Sequence, residues 1–263
     1  MFDGKVVLIT GASSGIGRAL ADCFGRAGGR LVLVARREER LRAAAAELEA
    51  SGAVGPVEVI VADLTETGAC ERVASEAAKR AGQVDVLVNN AGVGAYGPFA
   101  GQDADEMDGM MRLNMASLTR LSRLLVPAMV DRRCGWVLNV ASMAAYQPMP
   151  YMTVYAATKA FVLQFSWSLR EEVRRRGVVV TCLCPGLTRT EFFDSGEYGS
   201  LRANIDRASV DPARVAEAAY RALVRGRPVC IPGRANGLSI SVQRFLPTTW
   251  VGRMTGKMLR PRP

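Results

Sequence analysis

The sequence predicts one α/β domain, a doubly wound parallel sheet of seven strands with helices on both faces. Three observations predict it. Short β-branched runs alternate with longer stretches of 3.6-residue periodicity along most of the chain. The runs, such as Val6-Val7-Leu8-Ile9, are apolar throughout rather than alternating, as strands covered on both faces must be. Finally, 263 residues with 49% hydrophobic and 22% charged side chains can fill one large core, and no linker, internal repeat or low-complexity tract divides them.

The elements follow in order. Val6–Thr10 reads as the first strand, and Thr10-Gly-Ala-Ser-Ser-Gly-Ile-Gly17 turns directly from it into a helix at 15–27. Glycines there let the backbone turn tightly and approach a pyrophosphate, whose charge meets the free N–H groups of the helix start. Strand Leu31–Ala35 ends on Arg36 and Arg37, guanidinium groups suited to a 2′-phosphate by charge and fork geometry. Two solvated arginines at the start of the helix 37–51 would look the same. Strand Val57–Val61 leads to Asp63 and Leu64; Asp63 suits an adenine amino group and equally an N-cap of the helix 66–81. Strand Val84–Asn89 ends in Asn90-Ala91-Gly92, at a sheet edge where ligands bind in such folds.

The next helix, 104–131, carries Asn114 among apolar positions. Strand Trp136–Val140 leads to Ser142. On the helix 152–176, Tyr155 and Lys159 stand at i and i+4, so the phenol and the ammonium project from one face. Strand Val178–Cys184 runs into Pro185-Gly186, followed by Thr188 and Thr190. A helix at 210–224 and a weak strand, Val229–Ile231, complete the pattern.

Composition narrows the chemistry. Histidine is absent, which excludes a Ser-His-Asp or Cys-His nucleophile system and any His-ligated zinc. The six cysteines include no C-x-x-C pair, and Cys182 and Cys184 read as small core residues of a buried strand. The net charge of +9 is uneven: residues 1–217 are neutral, while residues 218–263 hold nine basic side chains and no acid. A neutral body argues against a nucleic-acid binder. The N-terminus enters a strand at once, so no signal peptide is expected. The longest uncharged stretch, 134–158, contains Asn, Gln, Ser and two prolines, so no membrane span is expected either, and the cytoplasm is the expected compartment.

Taken together, Thr10–Gly17, Asn89-Asn-Ala-Gly92, Asn114, Ser142, Tyr155-x-x-x-Lys159 and Pro185-Gly186 fall in order at matching strand ends. The sequence resembles the classical short-chain dehydrogenase/reductase family over roughly residues 3–235. The resemblance implies a Rossmann-type domain over 1–235, with a substrate loop at about 187–208 and a basic extension over 236–263. It implies NADP(H) as cofactor, because arginines stand at 36 and 37 where NAD-preferring relatives carry Asp. Gly11, Ser13, Ser14, Gly15, Ile16, Gly17, Arg36, Arg37, Asp63, Leu64, Asn90, Ala91, Gly92, Tyr155, Lys159, Pro185, Gly186, Thr188 and Thr190 would line its site. Tyr155 would be the acid/base and Ser142 would hold the substrate oxygen. Lys159 would bind the ribose and lower the Tyr155 pKa, and Asn114 would anchor a water linking Lys159 to solvent.

Substrate contacts are expected from Val93, Tyr96, Ser142, Met143, Tyr146, Met149, Tyr155, Phe192 and Phe193, a set that suits a hydrophobic carbonyl or alcohol. The competing readings are an NADP-binding sensor or scaffold without catalysis, and a peripheral membrane protein acting through its basic end. In that end Leu246, Trp250, Met254 and Met258 recur at four-residue spacing. Lys257 projects only about 20° from Trp250 on a helical wheel, and Gly252 and Gly256 weaken a helix, so packing on the domain or a subunit is favoured over a membrane surface. The helices 104–131 and 152–176 carry apolar residues beyond one stripe, including Phe161, Phe165 and Trp167, which predicts a homodimer or homotetramer.

Overall fold

In the computed structural model of the chain, residues 1–52, 55–193, 209–243 and 245–261 are described. Seven parallel strands stand in the order β3-β2-β1-β4-β5-β6-β7. They are β1 (Val6–Thr10), β2 (Arg30–Ala35), β3 (Glu58–Val61), β4 (Val84–Asn89), β5 (Gly135–Val140), β6 (Val178–Leu183) and β7 (Val229–Cys230). The helices are α1 (Gly15–Arg26), α2 (Glu38–Ala50), α3 (Ala69–Ala81), α4 (Ala104–Met111), α5 (Leu118–Asp131), α6 (Thr153–Val173), α7 (Pro212–Val224), α8 (Arg234–Gln243) and α9 (Thr248–Leu259). Each strand lies within a residue or two of its expected range.

The wholly apolar strand runs have the predicted cause. Val7 and Ile9 of β1 face a core built with Leu20 and Phe24 of α1, Leu41 of α2 and Leu223 of α7. Leu8 faces the opposite core, with Val73 of α3 and Leu121 and Met129 of α5. Burying every one of these side chains on both faces is what makes the hydrophobic effect favour this layering. Phe2 closes the first core from the chain start, meeting Phe24, Trp136 and Tyr220 edge to face at 5.1, 5.2 and 5.6 Å. Such T-shaped contacts suit the ring quadrupoles.

Two asparagines cross the sheet interior. Asn89 of β4 donates to Asn139 of β5, its register neighbour, at 2.9 Å and to Ser122 of α5 at 3.2 Å. Asn139 donates in turn to Ser166 of α6 at 2.9 Å. The chain of bonds ties two helices to the strand pair and satisfies the donor of each buried amide, while Asn89 Oδ1 is left without a hydrogen-bond partner among the described residues.

The order of strands reverses at β1, whose neighbours are β2 and β4. The crevice outside the carboxyl ends of β1 and β4 is therefore the expected ligand position. The single helix expected over 104–131 is in fact three pieces. A π-helical segment, Arg112–Ser117, lies between α4 and α5 and carries Asn114. π-Turns are rare and accumulate at functional sites. The helix expected over 152–176 ends at Val173 and tightens into a 3₁₀ turn at Arg174–Arg176, stopped by Gly177 with φ of 77°.

Candidate active site

A cleft of about 1040 Å³ runs along the carboxyl edge of the sheet, from the glycine-rich turn to α9. At one end the turn after β1 is stapled to β4. Asn90 donates its side-chain amide to the carbonyls of Thr10 and Gly11 at 2.9 and 3.1 Å. Thr10 Oγ1 accepts from the backbone N–H groups of Asn90 and Ala91 at 3.0 Å each. A Cβ at Gly17 would run into the Gly11 carbonyl, so only glycine lets α1 start this close to β1. Gly11, Ser13, Ser14, Gly15, Ile16, Asn90, Ala91 and Gly92 all line the cleft. Gly17 itself is buried behind it.

Arg36 and Arg37 also line the cleft, each with a carboxylate partner. Arg36 reaches Asp63 at 3.4 Å, and Arg37 reaches Glu191 at 2.7 Å while donating to Ser13 and Ser14 at 3.4 and 3.2 Å. Arg40 meets the other oxygen of Glu191 at 2.5 Å. Sequence reasoning missed Glu191 and Arg40. No spacing marks an acid 154 residues from its arginine, and only the fold brings the pair together. Asp63 is not a helix N-cap, since α3 begins at Ala69 behind Gly68. Its carboxylate instead accepts from Thr65 N and Oγ1 at 2.9 and 2.7 Å, closing a local turn. Burial raises its pKa, but the Thr65 bonds and Arg36 outweigh this and hold it below the ordinary carboxylate value. Leu64 lines the cleft beside it; Asp63 does not.

In the middle of the cleft lie Ser142, Tyr155 and Lys159, with Asn114 just behind. β5 delivers Ser142, whose Oγ accepts from Ala144 N at 3.1 Å. α6 delivers Tyr155 and Lys159, only 9% and 5% exposed. Burial pushes the Tyr155 phenol up to about 12, opposed by a hydrogen bond with Ser142. Burial also pulls the Lys159 ammonium down to about 8, against the pull of Cys182 and Cys184. Lys159 Nζ donates to the Val140 carbonyl at 2.9 Å and sits 5.8 Å from the centre of the Tyr155 ring. Ser142 is the group that opposes this rise in the phenol.

Asn114 is 2% exposed and fully engaged. Its Oδ1 accepts from Val93 N at 3.0 Å, and its Nδ2 donates to Val93 O and Thr158 Oγ1 at 2.9 and 3.0 Å. It clamps the turn after β4 against α6, and a Cβ at Gly92 would approach both its Oδ1 and Lys159 Nζ.

The other end of the cleft is apolar. Val93, Tyr96, Met143, Met149, Met152 and Phe192 line it, and Phe192 packs against the Tyr155 ring at 5.2 Å between centroids. Tyr146 does not belong with them. It turns away under β6 and meets Trp167 edge to face at 6.5 Å. The Phe193 side chain and residues 194–208 of the expected substrate loop lie outside the described residues. Pro185, Gly186, Thr188 and Thr190 line the cleft, Thr190 against Gly15 of the glycine-rich turn and Gly186 beside Met143 and Asn236. Asn236, Met258 and Leu259 complete the wall, which no sequence signal announced. Tyr96 donates its hydroxyl to the Leu259 carbonyl at 2.6 Å.

The model of one protein family, described as short chain dehydrogenase, matches residues 5–197. The chain belongs to the short chain dehydrogenase family. A short chain dehydrogenase of Pseudocercospora fijiensis is 36% identical over 190 residues, covering 72% of this chain and 61% of its own. The probable oxidoreductase EphD of Mycobacterium tuberculosis is 32% identical over 87% of this chain and 41% of its own. The chain thus spans less than two thirds of the length of these curated relatives. Among solved structures, a short-chain dehydrogenase from Sphingobium yanoikuyae in complex with NADPH superposes with a TM-score of 0.81, at 34% identity over 98% of this chain and 96% of that one. A family member from Burkholderia phymatum in complex with NAD gives a TM-score of 0.83, at 28% identity over 92% and 94%.

Proposed function

We propose that this short-chain dehydrogenase is an NADP(H)-dependent oxidoreductase that interconverts a carbonyl and a secondary alcohol on a hydrophobic small molecule. The observation that carries the reading is one cleft with Ser142, Tyr155 and Lys159 at its centre, a glycine cradle at one end and a Met-lined wall at the other. The cradle fits a dinucleotide because Gly17 lets α1 start hard against the turn after β1, which brings Gly11 and Ser13 to Ile16 to the cleft wall, and Arg36 and Arg37 stand at the rim. A bound nicotinamide cofactor supplies or accepts the hydride. Gly11, Ser13 to Ile16, Leu64, Asn90 to Gly92, Pro185, Gly186, Thr188 and Thr190 would hold it, with Asp63 at the adenine side.

The chain's own residues handle the substrate and its proton. Ser142 Oγ donates to the substrate oxygen and orients it. Tyr155, whose phenol burial pushes up to about 12, gives its phenolic proton to that oxygen during reduction. In the reverse direction the phenolate takes it back, which requires added positive charge nearby to bring the phenol down. Lys159 supplies part of this from the ribose side, and Asn114 keeps the turn after β4 and the α6 backbone in register with it. Met143, Met149, Tyr96 and Phe192 exclude water and fit an apolar substrate.

The NADPH-bound relative at 34% identity supports the cofactor choice, while the NAD-bound one keeps the test necessary. NADPH consumption measured across ketones, acyl thioesters and quinones is that test. Turnover of at least one class is expected, and cofactor binding with no turnover in any class would favour the sensor reading. Leu124 and Phe161, 37% and 39% exposed on α5 and α6, support a homo-oligomer. Light scattering should then give a multiple of 28.3 kDa, and the monomer mass at micromolar concentration would refute it. Cytoplasmic placement belongs to the same reading. No helix among the described residues is long and apolar enough to cross a membrane.

A further inference from the structure

We infer that the outer face of α9 docks on an anionic lipid surface and sets the mouth of the cleft beside it. The inference does not depend on the cleft's chemistry. α9 is held to the domain by one side only. Val251 is buried, Thr255 Oγ1 donates to the Pro148 carbonyl at 2.9 Å, and Gly252 and Gly256 lie against the rings of Pro148 and Pro150. Gly256 is what lets the helix come this close, since a Cβ there would press on the Pro150 ring at 3.1 Å, whereas one at Gly252 would make only ordinary contact with Pro148. On a wheel of about 100° per residue these positions share one half of the helix.

Among the described residues, the other half has no neighbour to bury it. Trp250, Met254 and Met258 follow at four-residue intervals and are 59%, 60% and 70% exposed. Just upstream, Phe245 is 89% exposed, and Leu238 and Val242 of α8 stand open at i and i+4. Together they account for much of the large apolar side chain that the described residues leave in water, which marks an interaction face. Arg253 and Lys257 are exposed on the same half of α9, and Arg260 follows its last turn.

Charge chooses the occupant. Residues 218–263 hold nine basic side chains and no acid. A two-fold contact with a second copy would set Arg253 and Lys257 against their own images, with no carboxylate from this segment to separate them. An anionic bilayer reverses that sign. At its surface Trp sits at headgroup depth, Met enters the acyl boundary, and Lys and Arg extend along the helix to the phosphates. The closeness of Lys257 to Trp250, which in the sequence counted against a membrane surface, suits a helix lying in the interface with its ammonium extended to the phosphates. Met258 and Leu259 also line the cleft, so a docked α9 opens the apolar end of the cleft toward the lipid.

Co-sedimentation of the full chain with vesicles tests this. Wild type should pellet with vesicles of mixed phosphatidylglycerol and phosphatidylcholine, less so as salt rises, and weakly with phosphatidylcholine alone. Trp250→Ser with Met254→Ser, and separately Arg253→Glu with Lys257→Glu, should each weaken binding about tenfold or more. An unchanged circular dichroism spectrum and melting temperature check that both remain folded. Wild type left in the supernatant, or both variants sedimenting like wild type, would overturn the inference. So would light scattering in which the Trp250/Met254 variant breaks an oligomer, because the face would then belong to a second copy.

Discussion

The two ends of the cleft are built differently. At the cradle end, much of the lining sits at or next to the carboxyl terminus of a strand: Gly11 after β1, Arg36 and Arg37 after β2, Asn90 to Gly92 after β4. Sheet hydrogen bonding fixes those positions before any ligand arrives. At the apolar end the wall comes from the turn after β4, the 3₁₀ turn Met143–Tyr146, the segment at Phe192 and the last turn of α9. These parts are remote in sequence and meet through contacts such as the Tyr96–Leu259 hydrogen bond. Position in a strand order is a property of the sequence pattern; the meeting of remote loops is a property of the folded chain.

The strongest test of that division removes one phenolic oxygen. Tyr155→Phe should lower carbonyl reduction at least about 100-fold, since a positioned acid typically supplies that much. NADPH should still bind with near-native affinity in a fluorescence titration. A variant that keeps more than about a tenth of the rate would show that the proton comes from elsewhere.

The converse change strikes only the cradle end. Charge-assisted hydrogen bonds of about 1.5–3 kcal/mol each, reduced by exposure, suggest roughly 2–4 kcal/mol from Arg36 and Arg37 together. That is about a 30- to 1,000-fold preference for NADPH over NADH in kcat/KM, shrinking as salt rises. Arg36→Asp should collapse the ratio by repelling the 2′-phosphate and offering ribose hydroxyls an acceptor. Equal use of both cofactors by wild type would mean the arginines serve only Asp63 and Glu191.

Lys159 lies where the two ends join. Its pKa is lowered by burial from 10.5 to about 8. Between those values the unfolded chain holds the extra proton, so this residue makes wild-type stability rise with pH across that window. Lys159→Met abolishes the titration. The wild-type minus variant difference in unfolding free energy should therefore grow by up to about 3 kcal/mol from pH 7 to pH 10.5. A flat difference would place the ammonium in water.

The smallest effect is the most local. Glu191 occupies Arg37 and Arg40 and sits beside Phe192 of the apolar wall. Glu191→Gln should tighten NADPH by a few fold, on the order of one exposed ion pair, and leave NADH unchanged. Tightening of both cofactors alike would show that the contact acts on the loop and not on the phosphate.

How much of this was legible in the sequence follows the same line. The seven strands, the cradle, Arg36 and Arg37, and Ser142 with Tyr155 and Lys159 were readable because runs and spacing determine where a strand ends and which helix face a residue occupies. Tyr146 was misplaced: its type suits a pocket wall, yet its position in the 3₁₀ turn aims it at Trp167. Glu191, Asn236 and Leu259 were invisible, since nothing local to them encodes the partner. Asp63 was half right, because a side chain that closes a turn at Thr65 and one that caps a helix share the same residue preference.

The π-helical segment around Asn114 carries one more consequence. Met110, Asn114, Leu118, Ser122 and Val126 are all buried at strict four-residue intervals. Four such steps in an ideal α-helix would drift by about 160°, which would carry Met110 and Val126 to opposite sides. The wider turn takes back most of that drift, as one surplus residue does. Chain length is therefore as much a determinant here as residue type. Deleting one residue from Arg112–Ser117 would rotate α4 by roughly 100° against α5 and pull the Asn114 clamp from Val93, although no contacting side chain had been altered. An alignment column would score such a change as a gap; for this helix it is a loss of phase.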